Sequence, residues 1–248
     1  MLSTNKTIIQ IKEAIDNQKP FLLTRCGDGE SIIMDGSKDK FDFVTKRQFG
    51  LILHPHHRLR LQFSLIEAYI HSDIIGIPTK KHFELNAHWA NAEKMLYREV
   101  FNIRKKLFCS IDNHMDMLEY ELYGKWLTGL PELFVIGSRD IKDGLKRKFG
   151  VKDVYWFQIS GEKKFESDKS HEPHYPNQYE KVCRWIPEDT KGKVLIFGAG
   201  VAGKIYGKFW KDHGGIAVDI GSAMDWMAGK VTRGPERGSE SYNEKYKL

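Results

Sequence analysis

The chain has 248 residues, 41% of them hydrophobic and 29% charged, with 39 Lys and Arg against 33 Asp and Glu, a net charge of +6. This composition excludes a disordered or collagen-like chain and predicts one globular domain with a sizeable core. No apolar segment is long enough to cross a bilayer, and the three cysteines lack zinc-ligand or disulfide-framework spacing, so we expect a cytoplasmic protein with reduced thiols.

The first half of the chain predicts two strands among helices. Apolar residues recur at helical spacing over residues 7–15, and the short apolar run that follows at 21–24 predicts a strand. The β-branched run at 73–78, ended by Gly and Pro, predicts a second buried strand. The sequence on either side of that run, 48–72 and 79–128, is predicted to be helical, which makes a helical insertion in this half.

The second half alternates strands with helices. Four apolar runs predict strands at 133–136, 154–157, 194–197 and 216–218. Because near-continuous apolar strands alternating with helices are typical of parallel sheets, we predict an α/β fold with a mostly parallel sheet and helices on both faces. One domain is expected over residues 1–233, followed by a polar, loose tail at 234–248.

The turn after the first predicted strand carries two carboxylates. Its sequence, Arg-Cys-Gly-Asp-Gly-Glu at residues 25–30, places Asp28 and Glu30 one residue apart at the sheet edge where ligands of α/β proteins bind. Carboxylates so placed are ligands for a hard cation, and they predict Mg²⁺ or Mn²⁺ binding. Two structural alternatives stay open, with Asp28 as the cap of the next helix and Arg25 in a salt bridge.

Other candidate residues follow later strands or lie in loops. Asn113 and His114 begin a helix after an apolar run, where they either face the cleft or cap the helix. Arg139 follows a predicted strand at the ligand-facing edge of the sheet. The long polar loop that contains His174 is either a lid over the site or an ordinary surface loop.

A glycine-rich turn in the second half has the sequence Gly-Ala-Gly-Val-Ala-Gly-Lys at residues 198–204. It follows a predicted strand and opens a helix, the context in which such glycines bind the phosphates of a nucleotide. Asp219 closes the next strand, where a dinucleotide-binding fold has its ribose-binding acid. Ile205 stands where a P-loop needs Ser or Thr, which disfavours triphosphate hydrolysis. The glycines are alternatively a tight turn that serves packing.

The two turns together resemble those of the GT-D type glycosyltransferases. The turn at 25–30 resembles the R-x-G-D-G-E turn of that family, and residues 198–222 resemble its closing strand–helix–strand with the Asp-Ile-Gly end at 219–221. The resemblance implies a Rossmann-like domain that transfers a sugar from a nucleotide-sugar donor to a glycan, glycoprotein or lipid-linked acceptor. Cys26 and Ser222 depart from the family pattern, and Ser222 stands where some members have His.

The resemblance also implies roles for individual residues. A metal at Asp28 and Glu30 would neutralise the leaving nucleoside diphosphate, with Arg25 as a second cation. Asp219 and Asp225 are the candidates for deprotonating the acceptor hydroxyl or contacting the ribose. The residues expected to bind the donor and its phosphates are Arg25, Gly27, Gly29, Arg139, Gly198, Gly200, Gly203, Lys204 and Ser222.

Two other functions are compatible with this sequence. An NAD(P)-dependent oxidoreductase would use the turn at 198–203 but leave the turn at 25–30 unexplained, and a non-catalytic nucleotide-sugar binding protein would keep the fold without turnover. The basic residues are scattered over helical patterns, so we expect no nucleic-acid partner. The positive charge leaves open a peripheral contact with an anionic membrane that bears the acceptor.

Overall fold

The fold is built on one seven-stranded sheet in a computed structural model that describes residues 1–85, 89–163, 172–232 and 244–248. The strands are β1 (Phe21–Arg25), β2 (Ile74–Ile77), β3 (Leu107–Ser110), β4 (Glu132–Gly137), β5 (Asp153–Gln158), β6 (Val194–Gly198) and β7 (Ile216–Asp219). Their order across the sheet is β3-β2-β1-β7-β6-β4-β5, and every neighbouring pair is parallel. The predicted parallel α/β fold is confirmed.

Twelve helices surround this sheet in the described part of the chain. In the first half they are α1 (Thr4–Asp16), α2 (Asp28–Asp35), α3 (Lys38–Phe49), α4 (Pro55–His71), α5 (Lys80–Leu85), α6 (Ala90–Glu99), α7 (Asn113–Glu119) and α8 (Gly124–Leu127). In the second half they are α9 (Lys142–Phe149), α10 (Tyr179–Trp185), α11 (Gly200–Asp212) and α12 (Ala223–Met227). Three consecutive helices, α2 to α4, lie between β1 and β2, and of these α4 falls within the helical segment predicted at 48–72.

The five inner strands of the sheet are buried on both faces because they are apolar almost throughout. In β1, Leu22 packs into the core on one face, and Phe21 and Leu23 pack into the core on the other. The same alternation places Leu195 of β6 with Leu22 and Ile196 with Leu23. Successive side chains of a strand point to opposite faces, so a strand that is apolar at every position needs a layer of helices on each side.

The order of the strands reverses at the centre of the sheet, between β1 and β7. From β1 the chain moves outward to β2 and β3, whereas β4, β5 and β6 lie beyond β7 on the other side. β1 leads into α2 on one face and β7 leads into α12 on the other. A crevice at the carboxyl ends of such strands is the usual ligand site in open α/β sheets.

Strand β3 corrects the sequence prediction, which made residues 79–128 helical throughout. These four residues pair in parallel with β2, from Ile74 opposite Leu107 to Ile77 opposite Ser110. β3 is an edge strand, and of its four residues Cys109 alone is buried. Its apolar run, Leu107 to Cys109, lies between helical patterns without the Gly or Pro that marks the end of the predicted strand at 73–78.

The described end of the chain, residues 244–248, packs against the domain and is not loose as expected. Tyr246 is buried with its ring 5.2 Å from that of Trp226, and the backbone N–H of Leu248 donates to the carbonyl of Met227. Residues 234–243 of the expected tail lie outside the described residues. No helix in the described ranges combines the length and the hydropathy needed to span a membrane.

Candidate functional site

A pocket of about 420 Å³ opens at the carboxyl ends of the strands. It is lined by the turns that follow β1, β4, β6 and β7, together with the start of α7 and the loop after β5. The residues predicted from the sequence that line it are Arg25, Gly27, Asp28, Gly29, Glu30, Arg139, Gly198, Gly200, Lys204, Ser222 and Asp225. Asp219 lies directly beneath them, in contact with Arg25 and Lys204.

Four charged side chains from both halves of the chain form what we call the paired cluster: Arg25, Glu30, Lys204 and Asp219. The ammonium group of Lys204 lies 2.5 Å from Glu30 Oε1 and 3.2 Å from Asp219 Oδ2, and it donates to the carbonyl of Gly200 at 3.0 Å. Arg25 Nη2 lies 3.2 Å from Asp219 Oδ1. The cluster therefore ties together the turns after β1, β6 and β7.

Glu30 and Lys204 are both buried, and each of them remains charged because of the opposite charge of the other. Burial by itself would raise the pKa of Glu30, but the positive charge of Lys204 and its hydrogen bond outweigh that effect and lower the pKa. Burial would likewise lower the pKa of Lys204, but the charges of Asp219 and Glu30 raise it instead. Both groups are therefore charged at neutral pH, and neither charge would be stable without the other.

His114 and Ser222 extend the paired cluster. His114 Nδ1 lies 3.0 Å from the carbonyl oxygen of Ile111, which only accepts, so Nδ1 carries the hydrogen. His114 Nε2 is then the acceptor nitrogen, and it lies 2.9 Å from Arg25 Nη1 and 3.2 Å from Ser222 Oγ. Gly221 has φ +40°, and a Cβ there would lie 1.7 Å from Arg25 Nη2, so the guanidinium needs glycine at this position. The expectation that His114 faces the cleft is met.

The two carboxylates of the turn at 25–30, Asp28 and Glu30, have different surroundings. Glu30 Oε2 accepts from the backbone N–H of Gly27 at 3.1 Å, while Oε1 receives Lys204. Asp28, the first residue of α2, is exposed, and within the described ranges it forms no ion pair. A divalent cation bound by both residues does not fit this arrangement, because both oxygens of Glu30 are engaged and Lys204 already neutralises it. The described residues also contain no group of three His, Cys, Asp or Glu suited to a metal ion.

The glycine turn, residues 198–203, is covered by a residue that no pattern in the sequence places there. Gln48, from α3, accepts a hydrogen bond from the backbone N–H of Val201 through Oε1 at 3.1 Å, and so caps the first turn of α11. Gly200 has φ +55°, and a Cβ there would lie 2.9 Å from that oxygen. Gly203 faces the sheet instead, where a Cβ would meet Phe197 at 3.0 Å. These glycines serve close packing as well as lining the pocket.

Arg139 is held in place at the rim of the pocket. Its Nε donates to Asp225 Oδ1 at 3.0 Å, and Asp225 Oδ2 accepts from the hydroxyl of Thr232 at 2.9 Å. No acceptor for its two Nη groups is found among the described residues. Asp225 therefore orients Arg139, and the outer edge of the guanidinium remains free to bind an anion.

The opposite wall holds groups that no sequence pattern had indicated. His82 Nδ1 accepts from the backbone N–H of Thr79, so His82 Nε2 donates to Asp112 Oδ1 at 3.1 Å. The ring of Trp89 lies 5.2 Å from that of His82 and close to Gly27. An isolated His or Trp in a helical pattern gives no sign of such a position.

Of two further candidates from the sequence, His174 lines the pocket and Asn113 does not. His174, from the loop after β5, is buried between Phe49 and Tyr206 and lines the pocket. Burial lowers the pKa of His174 to about 4, against a smaller opposing effect of Glu162. Asn113 is buried beneath the pocket next to Tyr123, and it is not among the lining residues.

Comparisons with known proteins agree with this fold. The model of the GT-D-like family, described as a GT-D fold-like domain, matches residues 2–227. A solved structure described as a new glycosyltransferase (DUF1792) from Streptococcus sanguinis superimposes with a TM-score of 0.59 at 14% identity, covering 99% of this chain and 92% of that one.

A second solved structure is described as showing that the highly conserved domain of unknown function 1792 has a distinct glycosyltransferase fold. It superimposes with a TM-score of 0.56 at 15% identity, covering 100% of this chain and 89% of that one. At such identities the likeness concerns the fold. The search of curated proteins gave no match.

Proposed function

Because the chain belongs to the GT-D-like family, we propose that it is a glycosyltransferase. It transfers a sugar from a nucleotide-sugar donor to a hydroxyl group of a glycan, glycoprotein or lipid-linked acceptor. The observation that supports this most is the pocket itself, where the turn after β1 presents the carboxylate of Asp28 and the turn after β4 presents the guanidinium of Arg139. Glycosyl transfer that inverts the anomeric configuration needs a base for the acceptor hydroxyl, and the leaving nucleoside diphosphate needs a cation.

The donor is assigned to the side of the pocket formed by β4 and β6. The ends of these strands are adjacent, with Gly137 opposite Gly198, so that Arg139 stands beside the glycine turn. A pocket of about 420 Å³ lies within the usual range for a small-molecule site. The free edge of Arg139 matches the bidentate geometry of a phosphate group. We assign the donor diphosphate to Arg139, since Gln48 already caps the N–H of Val201.

The reaction follows from the groups that are free. Asp28 accepts the proton of the acceptor hydroxyl as its oxygen bonds to the anomeric carbon, and the bond from that carbon to the phosphate oxygen breaks. The electron pair of that bond leaves with the nucleoside diphosphate, and Arg139 stabilises the added charge. Asp219 and Asp225, predicted as alternative bases, are each in an ion pair with an arginine and are assigned to positioning. No step passes through a metal ion.

An NAD(P)-dependent oxidoreductase receives less support from the same contacts. In that function Asp219 would accept hydrogen bonds from the cofactor ribose, and the first turn of α11 would bind the pyrophosphate. Asp219 is instead 2% exposed between Arg25 and Lys204, and Gln48 occupies the N–H of Val201. Both positions that the cofactor needs are taken by the protein's own side chains.

Thermal unfolding in the presence of candidate ligands tests the proposal. A ligand that binds the folded state raises the unfolding temperature by mass action. The purified protein is screened with UDP-, GDP-, CMP- and dTDP-sugars and with NAD(P), each with Mn²⁺ and with a chelator. We expect a stabilising shift with one class of nucleotide sugar, followed by release of its nucleoside diphosphate when acceptor is added. A shift with NAD(P) alone would contradict the proposal.

A further inference from the structure

Lys204 occupies the place between two carboxylates where a bridging cation would lie. Its ammonium group contacts one oxygen of Glu30, one of Asp219 and the carbonyl of Gly200. The ammonium group donates hydrogen bonds to Glu30 Oε1 and to the carbonyl of Gly200, and it forms an ion pair with Asp219 Oδ2 at 3.2 Å. Two carboxylates and a carbonyl are also the kind of oxygen ligands that Mg²⁺ and Mn²⁺ take.

The charges of the paired cluster balance without any added ion. Glu30 and Asp219 contribute two negative charges, and Lys204 and Arg25 contribute two positive ones. A divalent cation at the same place would be repelled by an ammonium group that is 3% exposed. Lys204 lies inside α11, and a move away from the cluster would leave two buried carboxylates with Arg25 alone.

We propose that Lys204 serves as a built-in cation at this site, replacing a metal ion between Glu30 and Asp219. It holds the turns after β1, β6 and β7 together as a bridging metal would. Glu30 is therefore not a metal ligand in this protein, and Asp28 is left free of the metal role that the sequence predicts for it. The inference rests on the proposed function for its catalytic meaning, and its test below needs no sugar donor.

The test is a titration of Mn²⁺ into the full chain without nucleotide, with free Mn²⁺ followed by its electron paramagnetic resonance signal. The wild type is expected to show no saturable binding up to about 1 mM, the weak end of the range for protein cation sites. Lys204→Met removes the cation from between the two carboxylates and is expected to bind Mn²⁺ saturably, with a Kd roughly 10- to 100-fold below that limit. Adding Glu30→Gln to that variant should abolish the gained binding.

Two results would overturn the inference. One is stoichiometric Mn²⁺ binding by the wild type that Glu30→Gln abolishes, because Glu30 would then be a ligand despite Lys204. The other is a folded Lys204→Met variant that gains no Mn²⁺ binding. If Lys204→Met does not fold, the wild type and Glu30→Gln still show whether Glu30 is a Mn²⁺ ligand. The inference expects the same Mn²⁺ titration curve for both proteins.

The same titration separates this inference from the proposed function. If no nucleotide sugar binds but the Mn²⁺ titrations come out as expected, the built-in cation stands and the glycosyltransferase proposal fails. If a nucleotide sugar binds and Glu30→Gln removes a Mn²⁺ site from the wild type, the glycosyltransferase proposal stands and the built-in cation fails.

Discussion

The paired cluster and Asp28 lie at the same pocket, but they differ in whether other groups of the protein neutralise their charges. In the paired cluster, both carboxylates contact cations of the chain, and the side chains of Lys204 and Asp219 are 3% and 2% exposed. Asp28 is exposed, and in the described part of the chain it has no cationic partner. Charges that are buried and paired hold the turns together, whereas charges that are exposed and unpaired are able to contact a ligand.

Asp28 and Glu30 show that residue type and spacing do not settle this difference. They belong to one short turn and were predicted to bind one metal together. In the structure Glu30 folds back to the N–H of Gly27 and reaches Lys204, while Asp28 stays at the exposed start of α2. The separation arises because α2 begins at Asp28 and α11 brings Lys204 beneath the turn.

The largest effect is expected from breaking the paired cluster. Lys204→Met leaves Glu30 and Asp219 buried without their shared cation, and removing one partner of a buried pair costs about 3–5 kcal/mol. The measurement is chemical denaturation. Lys208→Met in the same helix is the matched control, because the carboxylates paired with Lys208, on Glu67 and Asp212, are partly exposed and such pairs contribute about 0–1 kcal/mol. Equal losses from the two substitutions would refute the distinction.

The second largest effect is expected from Asp28→Asn, which should lower activity without lowering stability. Asp28→Asn keeps the shape of the residue but removes the base, so turnover should fall roughly 100- to 10,000-fold while the KM for the donor changes little. The free energy of unfolding should stay within about 0.5 kcal/mol of the wild type, as for other exposed substitutions. Asp39→Asn, an exposed carboxylate in the first turn of α3, is the control. Normal turnover in Asp28→Asn would exclude Asp28 as the base.

The sequence predicts the parts of this molecule that depend on local patterns. Six strands are predicted because each is a nearly continuous apolar run, and β3 is missed because its short apolar run lies between helical patterns with no Gly or Pro to bound it. The turns of the pocket were found because glycines and carboxylates follow strands. The pairing of Lys204 with Glu30 spans 174 positions of the chain, and the cap that Gln48 places on α11 spans 153. Such contacts depend on how the helices pack, and no local pattern encodes them.

His174 also lies at the pocket, but in contrast to the paired cluster its burial keeps the side chain neutral by lowering its pKa. We therefore expect the stability of the protein to depend on pH. With a pKa of about 4 in the folded protein and 6.5 when unfolded, the unfolded state binds the extra proton between these values. Stability therefore falls as the pH drops from about 6.5 to about 4, by about 3 kcal/mol in total. Denaturation at pH 7 and pH 4 measures the loss, and His174→Gln should lose that much less. Equal losses in both proteins would show that His174 is protonated in the fold.

The smallest effect is expected at Gln48, which decides between two places for the donor phosphates. Gln48→Ala removes the side chain that accepts from the N–H of Val201, and loss of a helix cap costs about 1 kcal/mol. If Arg139 binds the diphosphate, calorimetric donor affinity should change less than about twofold, since the contact is elsewhere. If the glycine turn binds it, the substitution frees an N–H at a helix N-terminus, and donor affinity should rise. A tighter donor complex would move the diphosphate from Arg139 to the glycine turn.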